Sequence, residues 1–484
     1  MLKVFEISII VYIFERQKCI MIMEILMYPS LEVMANLGEQ PVFANKDYRF
    51  MKHCLMVDVD EGKLIFNGLT RTLIYMSDAE ISEIGNINKY DYLYKYYFLV
   101  PEDFDEFGIV EEIRNHLQVP VDDLYLDHPQ SFTILSTTKC NARCFYCYEL
   151  GSKHKHHMTE ETAEKVGKYI TDVADRSKRI NLHWFGGEPL YNAKVIDIIT
   201  DKLRNEGQGF TTTFTTNGYL FDKETVIKAR NRWNTVEAQI TIDGTEAVYN
   251  KVKNYVYKDP LSPYKKVLNN IAILLNNGIT VTIRLNLDFH NADNLKLLVE
   301  ELHKRYGNHP NLSIYAWPIF EDETNVKTEE EHAAIFQKMF ELENVMKNCG
   351  YFSGIFPSDR LVYNQCMADS GDSVIISVDG DLGTCEHFID DHFWGHIDNP
   401  SIKNFDMLNI WREYEAPLNI CEDCPIYPSC IRPTHCVEMS KCDDYYKDWR
   451  IRRHADGLLK MYENYRRRTN NTMRMPVRLA ENIN

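Results

Sequence analysis

Six times between residues 131 and 320, an apolar run of strand length gives way to a segment with helical periodicity. This beat restricts the fold more than any other feature of the chain. Strands are predicted at 132–136, 180–185, 211–216, 236–242, 280–287 and 312–317. Helices are predicted at 159–175, 195–205, 223–232, 263–277, 294–306 and 329–347. Regular alternation favours parallel strands joined by crossover helices over a sandwich. Six such units make an α/β fold built on a partial (βα)6, TIM-like barrel. In barrels of this kind the working side chains sit on the loops that follow the strands.

The loop after the first predicted strand carries Cys140, Cys144 and Cys147 in the spacing CxxxCxxC. Three thiolates from one loop suit a 4Fe-4S cubane, whose fourth iron is left open to an outside ligand. A zinc site, which normally recruits a fourth protein ligand, and ordinary buried cysteines are the other readings of the spacing. With Tyr146 directly before the last cysteine, the stretch resembles the signature of the radical SAM family. The resemblance implies a 4Fe-4S cluster whose open iron is chelated by S-adenosyl-L-methionine. It also implies that an injected electron yields a 5'-deoxyadenosyl radical, able to take hydrogen from an unactivated C–H bond, with Tyr146 among the cofactor-binding residues.

One βα unit later comes Gly186-Gly187-Glu188-Pro189. Glycines permit close backbone approach, and a carboxylate accepts hydrogen bonds from an ammonium. The stretch matches the family's GGE motif, which implies that Gly186, Gly187 and Glu188 bind the methionine amino group. Thr216 and Asn217 end the third strand and Asp243 follows the fourth. The resemblance puts the first two near the adenosyl moiety and Asp243 on the same cavity. Arg284 interrupts the apolar fifth strand, and a cation facing a core needs an anion. That anion is either the methionine carboxylate or a neighbouring glutamate.

A second field holds Cys366, Cys385, Cys421, Cys424, Cys430, Cys436 and Cys442. Gly380-x4-Cys385 and Cys421-x2-Cys424-x5-Cys430 resemble the SPASM extension of radical SAM enzymes that modify peptides and proteins. The resemblance implies two auxiliary 4Fe-4S clusters. The family pattern expects its next cysteine at position 434, where this chain has Thr434, so Cys436 marks a loop two residues longer. Carried over, Cys421, Cys424, Cys430 and Cys442 hold the distal cluster. Cys366, Cys385 and Cys436 hold the nearer one, whose fourth site is Cys349 or open. Two structural zinc sites are the alternative left by the spacing. Glu386 follows Cys385, where sulfatase-maturing relatives have an aspartate that deprotonates the substrate. Glu386 is therefore a candidate general base, against the reading of a surface glutamate.

The 484 residues carry a formal charge of −17, which argues against nucleic acid as the main partner. The thirteen cysteines are odd in number and clustered, which points to metal in a reducing, cytoplasmic setting rather than to disulfides. The apolar run 7–14 is flanked by Glu6, Glu15 and Arg16 and is far short of the ~20 residues of a membrane span. No membrane partner is expected. The expected divisions begin with an N-terminal extension (1–44) and a small α+β domain (45–128), which is a candidate leader-peptide recognition domain. The radical SAM core (129–325), a helical linker (326–365), a cysteine-rich iron-sulfur domain (366–445) and a helical tail (446–484) follow. The function implied is an oxidoreductase that matures a ribosomally synthesised peptide by a thioether crosslink, fed by a reductant such as flavodoxin or ferredoxin. A sulfatase maturase forming formylglycine, and a non-catalytic iron-sulfur carrier or sensor, are the competing expectations.

Overall fold

In this computed structural model the described residues are 23–40, 47–84, 90–117, 128–151, 155–258, 260–319, 328–361, 363, 366–387, 392–412, 417–430, 436 and 442–473. Thr434 lies outside them. The N-terminal elements are β1 (Glu24–Met27), α1 (Leu31–Leu37), β2 (Tyr48–Phe50), β3 (Cys54–Val59), β4 (Gly62–Asn67) and β5 (Leu73–Ser77). They continue with α2 (Asp78–Ser82), α3 (Asp91–Lys95), β6 (Leu99–Pro101) and α4 (Glu106–Leu117). An antiparallel sheet runs in the order β1-β5-β4-β3. Val59 pairs with Gly62 across a two-residue loop, and Glu61 takes a left-handed conformation there (φ 63°). That is the tight hairpin geometry in which the backbone twist of the turn matches the strands.

The barrel follows: β7 (Ser131–Thr137), α5 (Glu160–Val173), β8 (Ile180–Gly186), α6 (Ala193–Asn205), β9 (Phe210–Thr216), α7 (Lys223–Asn231) and β10 (Thr235–Thr241). Then come α8 (Glu246–Lys253), α9 (Pro263–Asn276), β11 (Thr280–Leu287), α10 (Ala292–Tyr306), β12 (Leu312–Pro318) and α11 (Glu329–Asn348). Strands β7 to β12 are parallel neighbours in chain order. Each predicted strand and helix of the barrel is present, and α8 is an addition. Helix α5 starts where expected, because the Thr159 side chain accepts from the Thr162 amide and Glu160 and Glu161 sit at the positive end of the dipole.

Along β9, Phe210, Thr212, Phe214 and Thr216 are buried while the residues between them are half-buried. Phe214 packs against Trp184, Phe221 and Trp233, and truncating so buried an aromatic costs about 3–5 kcal/mol. The opposite face of the strands is polar. His183 bonds Thr213 and Thr215 at 3.0 Å, Thr282 bonds Glu237 at 2.6 Å, and Tyr315 bonds Gln239 at 2.9 Å.

The last third adds β13 (Ser373–Ile376), β14 (Asp381–Gly383), β15 (Gly395–His396), α12 (Phe405–Asn409) and α13 (Asp444–Met473). β13 pairs in parallel with β7, and β14 and β15 extend the sheet to nine strands. The cysteine-rich region is thus a continuation of the barrel wall. Helix α13 inserts Tyr446 and Trp449 into the barrel's core and lays Ile451, Leu458 and Tyr462 on one face of the N-terminal sheet. Val110 and Ile113 of α4 share a core with Leu361, Tyr363, Cys421 and Tyr427. The N-terminal elements thus pack against the cysteine-rich region through this cluster. Local periodicity shows that α4 has an apolar face but not what covers it.

Candidate functional site

β7 ends at Thr137, and the chain enters the thiol loop directly. The carbonyls of Thr137 and Lys139 accept hydrogen bonds from the Gly187 and Glu188 amides, at 3.0 and 3.1 Å. A Cβ on Gly186 would lie 2.2 Å from the Thr137 oxygen, and one on Gly187 would lie 2.5 Å from the Lys139 oxygen. Both positions must be glycine for the end of β8 to bond this loop. Cys140, Cys144 and Cys147 line one cleft of about 170 Å³ with Gly187, Glu149 and Arg143. Burial pushes the Cys140 thiol up to about 12 and Cys147 up to about 11, and it raises Cys144 as well. Such thiols become thiolates when a metal binds. Asn141, fully buried in the same loop, has an amide nitrogen with no hydrogen-bond partner.

Glu188 is fully buried. Its carboxylate accepts from the Thr216 hydroxyl (2.8 and 3.0 Å), the Asn217 amide (2.9 Å) and the Leu190 amide (3.3 Å). No ion pair reaches it among the described residues, and burial outweighs these bonds, pushing its carboxyl up to about 7. An incoming ammonium would supply the missing charge. Asn217 also donates to the Asn141 side chain at 2.7 Å, so the strand end that binds Glu188 also holds the thiol loop.

Tyr146 donates to Asp243 at 2.7 Å and accepts from the Lys253 ammonium at 2.9 Å. Lys253 pairs with Asp243 at 3.0 Å, and the two side chains are 3% and 1% exposed. On the neighbouring strand β11 the Arg284 guanidinium donates to Asn286 at 2.9 Å, and its charge acts on both Glu386 and His387. Glu386 and His387 reach this place because Cys385 follows β14 on the extended sheet. The Glu386 carbonyl accepts from the Tyr148 hydroxyl at 3.2 Å, and the His387 and Tyr148 rings lie 4.9 Å apart. The Glu386 Oε2 is buried without a hydrogen-bond partner. Burial pushes this carboxyl above the usual range, against Arg284, while burial and Arg284 pull His387 down to about 4.

Among the remaining cysteines, Cys366, Cys385 and Cys436 lie close enough to perturb one another. Cys349 instead caps α11, with Glu300 as its charged neighbour. Cys424 and Cys430 face each other and Arg450, and Tyr446 feels both Cys430 and Cys442. Cys421 is buried beside Tyr427. Support for this loop comes from the N-terminal region. Arg114 donates to the Tyr427 and Cys430 carbonyls at 2.9 and 2.5 Å, and a His53 ring nitrogen lies 2.9 Å from the Cys424 carbonyl. Sequence reasoning missed Lys253, Arg114 and His53, which stand in no motif. Tyr148 could have been found from its place beside Cys147.

A partial barrel with three thiols after its first strand and a glycine-flanked carboxylate after its second is the radical SAM arrangement. Residues 134–302 match the radical SAM superfamily, and the chain carries a radical SAM domain over them. That superfamily works with a 4Fe-4S cluster and S-adenosyl-L-methionine. The thiol trio, the unused Asn141 donor and the unpaired buried Glu188 fit such a pair of cofactors. A probable GTP 3',8-cyclase of Methanococcus maripaludis is 33% identical over 103 residues, 21% of this chain and 33% of the relative. The radical SAM cyclopropyl synthase TigE of Paramaledivibacter caminithermalis is 22% identical over 207 residues, 37% of this chain and 42% of that protein. The chain thus spans about a third of the length of the cyclase it matches. Among solved structures, native anSMEcpe with bound AdoMet and Cp18Cys peptide is similar with a TM-score of 0.49 and 15% identity, covering 71% of this chain and 99% of that one. No helix among the described residues is long and apolar enough to cross a membrane.

Proposed function

We propose that this chain is a radical SAM oxidoreductase that modifies a ribosomally made peptide, joining a cysteine sulfur to a carbon of a neighbouring residue. The observation that carries this reading is the position of Glu386. Its unpartnered carboxylate oxygen is buried, one residue from Cys385, with its backbone bonded to Tyr148 beside the first thiol loop. This supports a reading in which a candidate base and a candidate auxiliary-cluster ligand stand near the loop that would hold the first cluster. The cluster and S-adenosyl-L-methionine, when bound, supply a carbon radical that takes one hydrogen atom from the peptide. Glu386 takes the proton of the substrate thiol as the carbon–sulfur bond forms. One electron is left over, and Cys366, Cys385 and Cys436 would hold the group that accepts it. A reductant such as flavodoxin or ferredoxin would supply the electron that starts each turnover.

The polar inner face of the barrel, with His183, Thr213, Thr215 and Gln239, suits a peptide better than a lipid. A leader segment would dock on the N-terminal sheet, where β3 pairs only with β4 among the described strands. The test is to incubate the reconstituted protein with a cysteine-containing precursor peptide encoded beside it and to read the product by mass spectrometry. A loss of two hydrogens with the sulfur retained and closed to alkylation supports the thioether. An aldehyde without sulfur means formylglycine and a sulfatase-maturase function instead. Glu386→Gln should keep S-adenosylmethionine cleavage and lose the crosslink.

A further inference from the structure

Lys253 has no place in any motif, yet its side chain is only 3% exposed. Removing an ammonium from water costs several kcal/mol unless partners restore what solvation gave. Here Asp243 lies at 3.0 Å and the Tyr146 hydroxyl at 2.9 Å. Tyr146 stands between two of the thiols, and Asp243 follows β10. The backbone repeats the connection. Asn254 ends α8 in a left-handed conformation (φ 43°), which turns the chain back along the thiol loop. The Arg143 amide then donates to the Lys253 carbonyl at 2.8 Å, and the Val256 amide donates to the Asn141 carbonyl at 2.9 Å. Residues 141 to 146 are thus held by two backbone rungs and one buried side-chain triad.

We propose that Lys253 is a positioning residue for the first cluster, fixing the thiol loop and placing a buried positive charge beneath it. The proposal rests on the radical SAM reading. An apolar side chain would fill the space without the cost of burying an ion pair, so packing alone gives no reason for a lysine. Cluster potentials respond to net charge and hydrogen bonding around the sulfurs, and a cation beside the loop favours the reduced form. Asp243 moderates that charge, and Tyr146 carries its influence into the loop.

The test compares full-length wild type with Lys253→Met, Lys253→Arg and Tyr146→Phe. Hydrogen exchange at the Arg143 and Val256 amides is read on the metal-free proteins, together with thermal melting. The proteins are then reconstituted anaerobically with iron and sulfide. The cluster signal that changes on adding S-adenosylmethionine is titrated by electron paramagnetic resonance. Lys253→Met should speed exchange at both amides at least about tenfold, as expected for loss of a hydrogen bond to a charged group. It should also move the midpoint of the responsive signal to more negative potential. Lys253→Arg should recover most of the potential, and Tyr146→Phe should fall between. If Lys253→Met does not fold, Tyr146→Phe decides by the same two readouts. A variant that only melts lower, with exchange and potential unchanged, overturns the proposal. If wild type gives no responsive signal, the radical SAM reading fails, and the exchange arm alone then decides whether Lys253 positions the loop.

Discussion

The loop of Cys140, Cys144 and Cys147 is bonded to the ends of β7, β8 and β9 and to the end of α8, all within one barrel. The loop of Cys421, Cys424 and Cys430 has only short 3-10 turns of its own. It leans on Arg114 and His53, which lie 313 to 371 residues away in sequence. One thiol loop is thus specified by neighbouring βα units, and the other by contacts between the two ends of the chain. Regular elements can place thiols before any metal arrives. A loop of turns depends on its distant supports and on the metal itself.

Removing a thiol from each loop should separate them most sharply. Cys140→Ala should abolish 5'-deoxyadenosine formation, whereas Cys424→Ala should keep it and lose about four iron atoms per chain. Iron analysis and chromatography of the nucleoside check both. Next in size is Arg114→Ala, which takes a charged donor from the part-buried Cys430 carbonyl, leaves the Tyr427 carbonyl only its bond from the Cys430 amide, and removes the guanidinium from over the Tyr427 ring. It should cost about 3–4 kcal/mol in denaturant unfolding and lower the iron held by the second field, with the barrel's cluster retained.

Glu188 sharpens the comparison from the barrel side. Burial pushes its carboxyl up to about 7, above the ordinary carboxylate value, so the folded state holds the proton more tightly than the unfolded state. The Glu188 contribution to stability should therefore fall as pH rises from about 4.5 to about 7, by on the order of 3 kcal/mol. The difference in melting between metal-free wild type and Glu188→Gln, followed across that range, should show this slope, because the buried histidines and Glu343 contribute equally to both. Smallest of all is Lys168→Ala on α5. Lys168 is 68% exposed and paired with Asp172 at 2.5 Å, and its loss should change stability by no more than about 0.5 kcal/mol.

The barrel was legible because strands such as β9 alternate and helices such as α5 and α9 carry start signals at Thr159 and Pro263. Cys140, Cys144, Cys147 and Glu188 were legible because spacing and strand ends place them together. The pairing of β13 with β7 was not legible, since nothing in a four-residue strand names its partner. That pairing is what brings Glu386 beside Tyr148. Lys253 was hidden for a different reason. A lysine in the last turn of a helix ordinarily faces solvent and complements the dipole, and only the fold shows that α8 points it inward.

The central claim is that the first thiol loop holds a cluster that cleaves S-adenosylmethionine. Its most direct test is anaerobic reconstitution with iron and sulfide, metal analysis, and addition of dithionite with S-adenosyl-L-methionine. The account predicts about twelve iron atoms per chain, as three cubanes, and formation of 5'-deoxyadenosine. Zinc in place of iron, or iron without any 5'-deoxyadenosine, would contradict it.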